Sequence, residues 1–131
     1  MALIALDASV LIALLDADDK HHQAARAALE AHAEDDLRIP ALTLAEALVH
    51  PIRAGKEPEA RRLIAALEIA VDAVDEPIAV AAAKLRARHG TALRMPDALV
   101  IAYADVRKAK RLLTADARWT SRSRRIELID S

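Results

Sequence analysis

The sequence contains no cysteine, and that absence removes disulfide frameworks, zinc ribbons, iron–sulfur clusters and thiol nucleophiles together. Any catalysis must rest on oxygen and nitrogen groups. Glycine occurs only twice, at Gly55 and Gly90, so neither a dinucleotide fingerprint nor a phosphate-cradling Walker loop can be written. Phenylalanine is missing, and one Trp and one Tyr leave almost no material for a base-stacking platform. Long apolar runs are lacking too. Ala2 to Leu6 is interrupted at Asp7 and the next run ends at Asp16, which is too short for a signal h-region or a membrane span. The expectation is a cytoplasmic protein without membrane contact.

What is present suffices for one compact domain: 131 residues, 54% of them hydrophobic, with 19 basic against 20 acidic side chains. The near-zero balance conceals an asymmetry. Residues 1–36 hold eight acids and two bases, whereas residues 107–125 hold eight bases and only Asp116 as an acid. A basic segment of that density can attract a polyanion, although a solvated, Arg-rich edge is the commoner explanation of a charge run.

Short apolar runs alternate with longer helical patterns. Ala2–Leu6, Leu37–Pro40, Ile69–Val74, Arg111–Thr114 and Ile126–Ile129 read as strands. Helices are predicted from about Ser9 to Leu15, from Asp18 or Asp19 to Glu34, from Thr43 to Pro51 or Gly55, from Pro58 to Glu68, from Pro77 to Gly90 and from Pro96 to Lys108. Thr43-Leu44-Ala45-Glu46 matches a capping box at the start of the third. Strands alternating with helices imply right-handed crossovers and an α/β fold with a parallel sheet covered on both faces. Alanine at about a quarter of positions suits helices lying close to that sheet.

In an open parallel sheet, ligands bind beyond the carboxyl ends of the strands. Four acids fall there. Asp7 ends the first strand, Glu46 lies early in the helix after the second, Asp97 opens a helix, and Asp116 follows the fourth strand. A helix of roughly twelve residues descends about 18 Å and a short strand climbs back about 15 Å, which returns Asp97 and Asp116 to one edge. Each acid alone also suits an ordinary cap or turn. Together they do not, because carboxylates about 5 Å apart repel by roughly 3 kcal/mol per pair at an effective dielectric near 20 unless a cation or a shared proton compensates. An all-oxygen set favours Mg²⁺ or Mn²⁺. Zinc fits less well, since His21, His22, His32, His50 and His89 form no metalloprotease pattern.

Asp7-Ala8-Ser9, Glu46 within Thr43 to Leu48, Met95-Pro96-Asp97-Ala98-Leu99-Val100-Ile101-Ala102, and Leu113-Thr114-Ala115-Asp116 with Trp119 resemble the ordered motifs of PIN domains. More narrowly, they resemble the small ribonuclease toxins of VapBC toxin–antitoxin systems, from about residue 3 to the last strand. The resemblance implies a three-layer α/β/α fold with a five-stranded, mostly parallel sheet in the order 3-2-1-4-5. It makes Asp7 and Asp97 the Mg²⁺ ligands, Glu46 and Asp116 the other two of an acidic quartet, and Ser9 and Thr114 the hydroxyl residues that support them. Trp119 stands where the family often has Phe. Homodimerisation and neutralisation by a cognate antitoxin that covers the active-site groove are implied as well.

The expected chemistry is hydrolysis of an RNA phosphodiester by in-line attack of a metal-activated water, with no residue nucleophile. RNA binding is expected through phosphate contacts from the basic stretch 107–125, with Arg94, Arg118 and Arg122 as candidate substrate contacts, and should therefore be salt-sensitive. A haloacid-dehalogenase-like phosphatase needs a second Asp where Ser9 stands, and a receiver domain needs paired early acids that are not there. A PIN-family nuclease acting on DNA or structured nucleic acid without a toxin role, or an inactive PIN-like RNA-binding protein, remains an alternative.

Overall fold

Every residue of β1 (Leu3–Leu6) is apolar, and the strand is sandwiched between neighbours and covered on both faces. It pairs in parallel with β2 (Asp36–Pro40) and β4 (Arg111–Thr114), while β3 (Ala70–Asp72) and β5 (Ile126–Leu128) form the edges. The resulting order is 3-2-1-4-5, as the family resemblance implies. The computed structural model describes residues 1–129.

Alternation along the strands divides the core in two. Ile4, Leu6, Ile39 and Leu113 pack against α1 (Ala8–Leu15), α2 (His22–Ala31), α3 (Ala41–Arg53) and α4 (Glu57–Ala66). Ala5 and Leu112 face the opposite way, onto α5 (Glu76–His89) and α6 (Met95–Val106), where Ile78, Ile101, Tyr103 and Trp119 complete the second layer. Each fully buried Leu or Ile contributes about 1.5–3 kcal/mol. Among the described residues, no helix is long and apolar enough to cross a membrane.

Several element ends differ from the sequence reading. The capping box is not formed: α3 starts two residues earlier, directly after Pro40, and Thr43 is buried with its hydroxyl unpartnered among the described residues. Pro51 does not end that helix either. The helix continues to Arg53 and closes on Gly55 at φ +71°, where Lys56 N–H reaches Pro51 O and Gly55 N–H reaches Ile52 O. Asp16 and Asp19 make turns, accepting from the amides of Asp18 and His21, so α2 begins only at His22. The third strand is shorter than predicted, since Ile69 is already buried under the sheet and only residues 70–72 pair with β2.

The edge strand β3 is anchored by one side chain. Asp72 accepts from Tyr103 Oη at 2.7 Å and from Arg38 Nη1 at 3.0 Å, with Arg107 Nη2 at 3.4 Å. Burial, reinforced by that bond to Asp72, pushes the Tyr103 pKa upward.

Candidate active site

Asp7 is placed by two devices at once. Its backbone N–H continues the sheet ladder to Leu113 O at 3.1 Å, and its carboxylate caps α1 by accepting from Val10 N–H at 3.2 Å. Ser9 Oγ donates to the same Oδ1, and Thr114 Oγ1 donates to Oδ2 at 2.7 Å. Both hydroxyls also accept: Ser9 Oγ from Ala115 N–H and Thr114 Oγ1 from Asp116 N–H, each at 3.0 Å. With an amide filling the acceptor side, each hydroxyl proton is committed to Asp7. Burial raises the Asp7 pKa, and the donated bonds of Ser9, Thr114 and Val10 hold that rise back.

A cleft of about 190 Å³ opens beside it, lined by Asp7, Ser9, Glu46, Asp97 and Asp116, with Arg94, Arg118 and Trp119. The four acids of the sequence reading are therefore brought together at the carboxyl edge of the sheet. Glu46 arrives from α3 and Asp97 from the first turn of α6. Partial burial raises the Glu46 pKa, and the Asp97 and Asp7 carboxylates add to it while Arg94 opposes. Partial burial also raises Asp97, with Arg94 and Arg118 opposing and Asp116 adding. Asp116 behaves differently. Arg118 grips it in a fork, Nε to Oδ1 at 3.0 Å and Nη2 to Oδ2 at 2.8 Å, and that bond lowers its pKa.

The basic stretch does not act as one. Arg94 and Arg118 line the cleft, but Arg122 turns away, donating to Ala92 O and meeting His89 Nδ1 at 3.2 Å. It ties the start of the α5–α6 connection to the 3₁₀ helix Ala117–Ser121 instead of facing the acids. Lys110, Arg111, Arg124 and Arg125 lie at the other edge of the sheet. What sequence reasoning missed in the cleft is its apolar wall, Ala8 and Val100, whose only signal is their place beside an acid on a helix.

Among the described residues, no three acidic or histidine side chains close into a ready-made metal cage. The donors nevertheless fit a small hard cation. All are carboxylate oxygens in an open cleft, three of them hold protons more tightly than usual, and Mg²⁺ binds through one or two carboxylates while keeping its waters. Asp7 Oδ2 accepts only from Thr114 among the described residues, which leaves it a lone pair.

Thr114→Val tests this support. The isosteric change removes a donor from a buried carboxylate and orphans Asp116 N–H, so urea unfolding should report a loss of about 1–3 kcal/mol. Because the ionised form of Asp7 loses a partner, the acid limb of any pH–activity profile should move to higher pH.

A PIN domain family profile matches residues 4–124. The chain belongs to the PIN domain family. No curated protein sequence matches it. Solved structures similar to this PIN domain include a toxin–antitoxin complex from Klebsiella pneumoniae, with a TM-score of 0.79 and 22% identity over 100% of this chain and 99% of that one. VapBC2 from Rickettsia felis, bound to a DNA fragment from its promoter, gives 0.78 and 15% over 96% and 98%. Mycobacterium tuberculosis VapC20, described as a Sarcin-Ricin loop cleaving toxin, gives 0.73 and 19% over 92% and 95%. At these identities the likeness establishes the shared fold.

Proposed function

We propose that this PIN domain is a Mg²⁺-dependent endoribonuclease, with Mn²⁺ as a working substitute, and the toxin of a type II toxin–antitoxin pair. The observation that carries the reading is the convergence of Asp7, Glu46, Asp97 and Asp116 on one cleft, with two arginines at its rim. Membership of a nuclease family and the Sarcin-Ricin loop cleaving toxin among the neighbours support RNA as the substrate class.

Asp7 and Asp97 would hold the cation, Asp7 with its orientation fixed by Ser9 and Thr114. When bound, a divalent cation screens the phosphodiester, activates a water and stabilises the leaving oxygen. Glu46 has no hydrogen-bond partner among the described residues, so it is available to orient the attacking water. Asp116 shares that task once Arg118 lets go of it. The Arg118 side chain is 86% exposed, so its fork competes with water and exchanges readily for a phosphate.

An apolar groove lined by Ile12, Leu15, Ala47 and Pro51 runs away from the cleft and shares Glu46 with it. A segment of antitoxin seated there would reach the acids and cover them, in keeping with the toxin–antitoxin complexes among the neighbours. Action in the cytoplasm, as a one-domain chain that homodimerises, belongs to the same reading.

The direct test is cleavage of defined RNAs in Mg²⁺, in Mn²⁺ and in chelator. Cleavage is expected in the first two and none in the third. Metal binding should also register without turnover. At a hundred times the dissociation constant, Mg²⁺ or Mn²⁺ stabilises the fold by about 2.7 kcal/mol, a rise in Tm of roughly 10 °C for a chain of this size. Asp7→Asn should lose most of that rise. A wild-type Tm indifferent to both metals, with no cleavage, would refute the proposal.

A further inference from the structure

The basic stretch touches both edges of the sheet: its middle, at Arg118, lies beside the acids, and its two flanks meet at the opposite edge. Arg111 pairs with Ile4 and Lys110 N–H reaches Leu3 O, whereas Leu113 pairs with Leu6 beside Asp7. From Arg111 to Asp116 the chain covers about 16 Å at about 3.3 Å per residue. At the far edge, Lys110, Arg111, Arg124 and Arg125 enclose a second cleft of about 340 Å³ with Ser123, and Asp105 is the one acid in its lining.

The cleft is anchored but not neutralised. Asp105 holds Arg125 Nε at 2.9 Å, Ala109 O accepts from Arg125 Nη1, and Glu127 lies 3.8 Å from Arg111 Nε. Lys110 and Arg124 are exposed and have no ion-pair partner among the described residues. Ser123 Oγ accepts from Arg125 N–H at 3.1 Å, so its own proton is free to donate to an anion. The four cations outnumber the two carboxylates paired with them, Asp105 and Glu127, and an anion at the centre offsets the repulsion that remains.

We propose that this cleft binds backbone phosphates of the RNA substrate, remote from the bond that is cut. The inference rests on the nuclease reading above and adds a length requirement to it. An RNA touching both edges must span roughly five stacked nucleotides at about 3.4 Å each. Continuity favours RNA over an acidic protein partner, because Arg118, exposed at the first cleft, and Arg124, exposed at the second, stand at the two ends of the segment that joins them.

The test is the Lys110→Ala/Arg124→Ala double variant, whose two side chains are exposed and carry no structural bond among the described residues. Fluorescence anisotropy is measured in chelator, so that nothing is cut, with a single-stranded RNA of about twenty nucleotides and with a tetranucleotide. For the long RNA, affinity at low salt should fall about tenfold, and the slope of log affinity against log salt should flatten by about 1.4, for two phosphates at about 0.7 each. Affinity for the tetranucleotide should stay at the wild-type value. An unchanged slope and affinity for the long RNA, in a protein whose wild type cleaves RNA, overturns the second site and leaves the nuclease reading intact. Slope loss in a protein that never cleaves with Mg²⁺ or Mn²⁺ supports the site and refutes the nuclease. A wild type that binds no RNA, or that binds polyglutamate as tightly through these two residues, overturns the inference.

Discussion

Asp97→Asn should lower the rate of RNA cleavage by at least about a thousandfold while making the metal-free protein more stable, not less. The activity loss follows from removing one of the two carboxylates proposed to hold the cation. The gain in stability follows from the pKa directions. Asp97 is raised by partial burial and by Asp116 against the pull of Arg94 and Arg118, so the folded state holds its proton more tightly than the unfolded chain does. The stability contributed by such a group is fully present below its unfolded pKa and is lost as pH rises through the folded value. Asparagine never ionises. The difference in urea midpoint between variant and wild type should therefore widen from pH 4 toward pH 8 without metal, and close when Mg²⁺ is added. A variant that cleaves at the wild-type rate, or that is less stable at neutral pH, contradicts the role given to Asp97. The lost interaction of a first-turn carboxylate with the α6 amides works against the gain but does not grow with pH once the group is ionised.

Asp72→Ala should have the largest effect on stability of any single polar change considered, about 3 kcal/mol in urea unfolding, or a Tm lower by roughly 10 °C. The cause is what it leaves behind. Tyr103 is fully buried and its hydroxyl donates to Asp72, so the truncation orphans a buried O–H and deprives Arg38 and Arg107 of a shared carboxylate. Adding Tyr103→Phe to Asp72→Ala removes the orphan, and the double variant should be less damaged than the sum of the two single changes. Cleavage by the folded fraction should be retained, because Tyr103 lies six residues along α6 from Asp97, on the side of the helix buried against the sheet. Strict additivity would mean that the hydroxyl and the carboxylate do not depend on each other.

The acids were legible in the sequence for a definite reason. Asp7 follows a strand of four apolar residues, Asp97 follows Pro96 at a helix start and Asp116 comes two residues after Leu113-Thr114, so residue type and place in the element coincide. The parallel sheet was legible in the same way, from apolar runs set between helical patterns. Other features depend on partners distant in the chain. The sequence offers Arg122 as a substrate contact and gives no sign that the fold sets it against His89 and Ala92. Thr43 and Glu46 have the spacing of a capping box, but Pro40 ends β2 where α3 must begin, which moves both residues into the helix body. Asp72 gives no sign of its importance beside Val71, because only tertiary structure brings Tyr103 to it. The uniform run of bases from 107 to 125 likewise became two groups once β4 and β5 brought its flanks together at one edge of the sheet and left Arg118 at the other.

Thr114 Oγ1 donates to the Asp7 carboxylate across 107 residues, and Ala115 N–H donates to Ser9 Oγ across 106. Contacts that long are made late in folding, after the loop between them has closed. During synthesis Asp7 precedes these partners and cannot be oriented until residue 116 has emerged and β4 has docked beside β1. A chain that stops short of Thr114 therefore lacks the assembled cleft, however well its first strand is formed.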